Sequence, residues 1–299
     1  MAKRERAWGR GVLLGLLALL MIAPFSRSED DTDALMARFE TMVEHNLDNP
    51  HVVDSATLDA QARALERQPL GDRVAGWARW FLDLGRVEYL YGRAEGGYVT
   101  EGRLCQDFQT DCVLFMYRAT ELARSANARE AVQFAFGTRF YGASIAEAVS
   151  ENGKVDYDVP AHLEYSEEMI QSGIWGEDVT SLGGSALLDA VGSSKVPPDT
   201  LHYLPADDID YGKLQSGDIV WFVGDEKAAG AKEQRAQGTL IHHIGLLDCR
   251  GNEPVLIHPA VRPLPGVYDG TGVVEVPLRS YLSRVDRFKG IVVTRLKEF

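Results

Sequence analysis

The strongest constraint on the fold is a change of hydrophobic period part-way along the chain. Leu35, Met36, Phe39, Met42 and Val43 recur at helical spacing, as do Val74, Trp77, Phe81, Leu84 and Val87. Residues 31–93 therefore read as helices, broken at Pro50 and at Pro69-Leu70-Gly71. A glycine-bearing loop covers about 93–110, and Thr110-Asp111 then opens an apolar helix from Cys112 to Ala123 with Phe115, Met116, Ala119 and Leu122 on one face. Downstream the period shortens: Asp218–Val223, His243–Asp248, Val255–His258, Val273–Val276 and Gly290–Thr294 each read as a strand, with a short helix at Leu278–Val285. Helices first and strands afterwards imply an α+β fold, helices packed on a mostly antiparallel sheet of about five to six strands.

The first 28 residues read as an address label. Lys3, Arg4, Arg6 and Arg10 precede an apolar run from Val12 to Phe25, and Ser26 and Ser28 stand at the spacing of a cleavage site. The run is short for a membrane span, so a cleaved export signal is favoured over a single anchoring helix. The rest divides into a helical lead-in at 29–79 and a main domain at 80–299. Residues 29–299 carry 26 basic against 43 acidic side chains, a formal charge of −17. That excess argues against a nucleic-acid partner.

Three cysteines, Cys105, Cys112 and Cys249, leave at least one thiol unpaired. Cys112 opens a helix, where partial positive charge lowers a thiol's pKa. Its place on the helix is equally compatible with an inert buried thiol or with a Cys105–Cys112 bridge. Two histidines add a second signal. The link Cys249-Arg250-Gly251-Asn252-Glu253-Pro254 is turn-rich, so the flanking strands should form a hairpin. A turn centred on Arg250-Gly251 sets His243 opposite His258; one centred on Gly251-Asn252 makes them diagonal neighbours. Either register keeps both on one face. Two imidazoles are too few for a stable zinc site, so neither a metal nor another cofactor is expected.

Several motifs carry a family resemblance. Thr110-Asp111-Cys112, Gly217-Asp218-Ile219-Val220-Trp221-Phe222, His243-Ile244-Gly245 and Leu256-Ile257-His258-Pro259-Ala260, in that order, resemble the NlpC-type cell-wall cysteine peptidases, a papain-like superfamily. Ala161-His162-Leu163-Glu164-Tyr165, Gly176-Glu177-Asp178-Val179-Thr180 with Gly183-Gly184-Ser185, and Phe288–Arg295 are similar to the branch of N-acetylmuramoyl-L-alanine amidases. The resemblance covers roughly residues 80–297 and departs from the family at Arg86-Val87-Glu88-Tyr89 and at Pro259.

The resemblance implies a papain-like core and a thiol amidohydrolase acting on peptidoglycan or muropeptides, at the bond between muramic acid and L-alanine. It implies Cys112 as nucleophile, His243 as base in an ion pair with it, His258 as orienter of His243, and Tyr89 at the oxyanion site, with Tyr91 as a competitor. His162, Asp178 and Thr180 are its weaker substrate-contact candidates. A cell-wall endopeptidase and a noncatalytic wall-binding module on the same fold are the alternatives; a lipid acyltransferase of permuted order is disfavoured because Cys112 precedes both histidines. The implied location is periplasmic or secreted, with no stable membrane span once the signal is removed. Oligomeric state is left open.

Overall fold

The computed structural model describes residues 29–164, 166–184, 188–189, 201–225 and 240–298. The expected leader at 1–28 and most of the loop 225–239 lie outside them. No helix among the described residues is long and apolar enough to cross a membrane.

Among the described residues three helices come first: α1 (Glu29–Leu47), α2 (Ser55–Leu65) and α3 (Leu70–Asp83). Asp54 caps α2 by accepting the Thr57 N–H, and Pro69 immediately precedes α3. The two sequence stripes bury Phe39, Met42 and Val43, then Val74, Trp77 and Phe81, while Met36 stays exposed. Helix does not continue to residue 93. Gly85 at φ 63° takes the left-handed conformation that ends α3, which only glycine adopts without strain. The chain then extends, and β1 (Glu88–Tyr89) pairs in parallel with β2 (Gln109–Thr110).

Helix α4 (Cys112–Arg124) begins where the capping residues placed it. It is followed by α5 (Ala128–Arg139), α6 (Ile145–Ala148) and α7 (Ser166–Ser172). The strands are β3 (Glu177–Asp178), β4 (Leu188–Asp189), β5 (His202–Pro205), β6 (Ile219–Gly224), β7 (Ile241–Asp248), β8 (Val255–Ala260) and β9 (Gly272–Pro277). Helix α8 (Leu278–Arg284) and strand β10 (Phe288–Arg295) close the fold.

The main sheet runs β4-β5-β10-β6-β7-β8-β9, with β3 on the end of β10, and every pairing in it is antiparallel. Among the described residues it has eight strands, more than the expected five to six. The five longer ones follow the apolar runs; β3, β4 and β5 are two, two and four residues long, too short to carry a period. Strand β6 shows why its run is continuous rather than alternating: both faces are buried. Ile219, Trp221 and Val223 join the core on the helical side with α1–α5, whereas Val220 and Phe222 join a second core under α8. Helices α1–α3 thus share one core with α4 and the sheet.

Candidate functional site

The site forms where the start of α4 meets β7. Asp111, itself buried, caps α4 by accepting the N–H groups of Val113 and Leu114 at 3.0 and 2.8 Å, and also takes the Gly92 N–H at 2.9 Å. The third bond ties the segment after β1 to the helix start. With Tyr89 in register with Thr110, this brings the Tyr89 phenol beside Cys112. Helix α4 packs against β7, and the Ile244 N–H is directed at the Cys112 sulfur, as are the amides of Cys112 and Val113.

The hairpin adopts the diagonal register. Leu246 pairs with Ile257 and Asp248 with Val255, which centres the turn on Gly251-Asn252 and sets Gly245, not His243, opposite His258. The imidazoles nonetheless meet, His243 Nε2 lying 2.9 Å from His258 Nδ1. Gly245 permits this. A Cβ there would stand 2.5 Å from Leu256 Cδ1 and 3.1 Å from His258 Cβ, so only glycine leaves the His258 ring room to lean across. Phe222, in register with His243, packs its ring 5.7 Å from that imidazole, and Tyr281 of α8 packs 4.8 Å from His258.

Electrostatics correct one expectation. The α4 start was expected to lower the Cys112 pKa, but burial, reinforced by the Asp111 carboxylate, pushes it up to about 12. A helix terminus contributes about 0.3–1 kcal/mol, less than one pKa unit, and burial outweighs it. Burial likewise holds His243 well below its ordinary value, with the neighbouring His258 and Arg287 adding to the effect, and His258 down to about 4. These shifts all favour the neutral forms of the thiol and the imidazoles. Burial and the nearby Cys112 raise the Tyr89 phenol far above its usual range, so it keeps its proton and remains a donor.

His243 and His258 are thus in contact, while Tyr89 and the backbone of Ile244, next to His243 in β7, lie near Cys112. Tyr91, at 57% exposure, points to solvent more than Tyr89 does. His162 lies in a neighbouring cavity of about 90 Å³ lined by Tyr91, Asp111, Val113 and Glu164, its ring 4.8 Å from Tyr157. Asp178 and Thr180 are elsewhere. Asp178 pairs with Thr294 at the far end of β10, and its carboxylate accepts both the N–H and the hydroxyl of Thr180 at 2.9 and 2.5 Å, in a turn tied to β10 by the Val293 N–H, which donates to the Thr180 hydroxyl. All three cysteines are unpaired, so no Cys105–Cys112 bridge exists. Burial pushes Cys105 up to about 11 and Cys249 to about 12.

Sequence reasoning missed Tyr281, Phe288 and Arg287. Tyr281 sits on the short helix α8, and burial raises the pKa of its phenol, with Arg287 opposing the shift. The Arg287 guanidinium lies 4.7 Å over the Phe288 ring, which in turn lies 6.3 Å from His243. No motif spacing announces Tyr281 or Arg287, because Tyr281 is carried over β8 by α8 and Arg287 stands just outside the Phe288–Arg295 motif.

Among solved structures the chain is similar to an N-acetylmuramoyl-L-alanine amidase from Bacteroides uniformis, at 18% identity and a TM-score of 0.55, covering 77% of this chain and 99% of that one. It is also similar to a Legionella pneumophila protein assigned to the DUF1460 family, at 15% identity and a TM-score of 0.54, covering 80% of this chain and 93% of that one. The sequence matches no family model and no curated protein. The likeness is one of fold: an α+β arrangement shared with these proteins over most of their length.

Proposed function

We propose that this chain is a cysteine-dependent amide hydrolase of peptidoglycan fragments, built on an NlpC-type papain-like core and cutting the N-acetylmuramoyl-L-alanine bond. The observation that carries the reading is the contact of His243 Nε2 with His258 Nδ1 at 2.9 Å on the strand whose Ile244 amide faces the Cys112 sulfur. A thiol needs a base, and the base needs an orienter that fixes its tautomer. The fold shared with the Bacteroides uniformis amidase directs the choice of substrate.

When the His243 Nε2–H donates to His258 Nδ1, the His243 Nδ1 lone pair is left for the thiol. His243 takes the thiol proton as sulfur attacks the lactyl carbonyl, because a neutral buried pair separates charge only when a bond forms to compensate. The carbonyl oxygen, now negative, accepts hydrogen bonds from the Cys112 amide and the Tyr89 hydroxyl. Collapse breaks the C–N bond, His243 gives its proton to the leaving L-alanine nitrogen, and a muramoyl thioester remains on Cys112. Water, deprotonated by His243, then cleaves the thioester to a carboxylic acid and returns the thiol. No metal or other cofactor enters this scheme.

Residues 1–28 act in this proposal as an export signal, placing the enzyme in the periplasm or outside the cell. Purified protein incubated with muropeptides should release free L-alanyl peptides and muramic-acid sugars, resolved by mass spectrometry. Intact muropeptides after incubation with folded protein would overturn the proposal, as would undiminished cleavage by Cys112→Ala.

A further inference from the structure

The two walls of the site differ in charge. On the helix side stand Cys112, Asp111 and the cavity reaching His162 and Glu164; on the sheet side stand His243, His258, Tyr281 and Arg287. Arg287 is the cation of this sheet-side wall. It directly precedes β10, and its carbonyl accepts the Asp225 N–H at 2.7 Å, which fixes its backbone at the end of β6. Its side chain is half-buried, lies on Phe288 and acts electrostatically on the Tyr281 phenol.

Arg287 differs from Arg118 and Arg139, the two arginines that form buried ion pairs with carboxylates along α4. Arg118 is matched by Asp107 at 2.8 Å and Arg139 by Glu121 at 2.6 Å, whereas among the described residues no carboxylate pairs with Arg287. Its Nε is buried and has no hydrogen-bond partner. A planar guanidinium with an unused donor is built to bind a carboxylate in bidentate fashion. Its field also reaches His243, His258, Tyr268 and Tyr89, so an anion bound there would sit within the same cluster.

The chemistry says which part of the substrate meets it. The imidazole that takes the thiol proton must return it to the leaving nitrogen, so the leaving amine lies on the histidine side of Cys112. Arg287 shares that side. We infer that Arg287 is a specificity-determining residue whose guanidinium binds a carboxylate on the leaving peptide, the α-carboxylate of the D-glutamate that follows L-alanine in a peptidoglycan stem. This rests on the amidase reading for the identity of the peptide. A substrate amidated at that carboxylate would leave the guanidinium without its anion and lose affinity accordingly.

Calorimetric titration of the full chain with L-alanyl-D-glutamate and with its amide, L-alanyl-D-isoglutamine, tests the inference without requiring turnover. The acid should bind the native protein about 10- to 100-fold more tightly than the amide. Arg287→Gln should bind both equally and weakly, and Arg287→Lys, which keeps the charge but not the fork, should recover part of the preference. Equal affinity of the native protein for the two dipeptides would overturn the inference, as would a preference unchanged in folded Arg287→Gln. Cleavage of the corresponding muramoyl dipeptides, run in parallel, reports separately on the amidase reading: cleavage without acid preference defeats only the role of Arg287, and acid-selective binding without cleavage defeats only the reaction.

Discussion

Helix α4 carries two buried polar clusters that differ in kind. Along its body Arg118 pairs with Asp107, and Glu121 receives both Nε and Nη2 of Arg139 at 2.7 and 2.6 Å. At its start Cys112 lies near the Ile244 backbone and the Tyr89 phenol, and among the described residues no opposite charge is paired with the thiol. In the first cluster burial has found complementary charges, and the groups are locked as ions. In the second it has found none, so thiol and imidazole stay neutral and hold their proton in reserve. Pairing gives rigidity, and the lack of it leaves a group free to react.

The comparison breaks first at the thiol. Cys112→Ala should lower muropeptide cleavage by about 10⁴-fold or more with little change in unfolding midpoint, because the thiol is chemistry rather than scaffold. The body of the helix should behave in the opposite way. Glu121→Ala strands Arg139 as a buried unpaired cation and should cost about 3–5 kcal/mol in urea unfolding. Full stability in Glu121→Ala would erase the distinction between the clusters.

Gly245→Val lies between these extremes. A side chain at that position meets Leu256 and His258, so it should cost about 1–3 kcal/mol of stability and lower kcat more than it raises KM, by displacing His258 from His243. The smallest effect is one of pH. His162 and His258 are held down to about 4, against an ordinary value of 6.5. The unfolded chain therefore binds more protons between these values, and stability that is full above about pH 6.5 falls as the pH drops toward 4. His162→Phe, placed against Phe140 and Tyr157, should reduce the slope of stability against pH in that window by the equivalent of about one proton.

What the sequence showed follows the same division. The start of α4, the five long strands and the shared face of His243 and His258 were legible, because capping residues, apolar runs and a period of two are local signals. The hairpin offered two registers, and the diagonal one prevails because Gly245 makes room for it. Strands β3 to β5 were not legible, since two to four residues carry no period. The protonation state of Cys112 was read with the wrong sign. Helix position is visible in a sequence, whereas burial and the closeness of Asp111 emerge only when α4 meets β7. Tyr281 and Arg287 escaped for a similar reason, Tyr281 reaching the site through the packing of α8 and Arg287 from the turn that leads into β10, rather than through any motif.

The most direct test of the central claim, that Cys112 and His243 form a neutral but reactive unit, is the rate of iodoacetamide labelling of each cysteine near pH 7, read by peptide mass spectrometry. The account predicts that Cys112 labels well ahead of Cys105 and Cys249 and slows by about tenfold or more in His243→Ala, because the imidazole removes the proton that burial otherwise retains. Labelling of Cys112 no faster than Cys249, or a rate indifferent to His243→Ala, would contradict it.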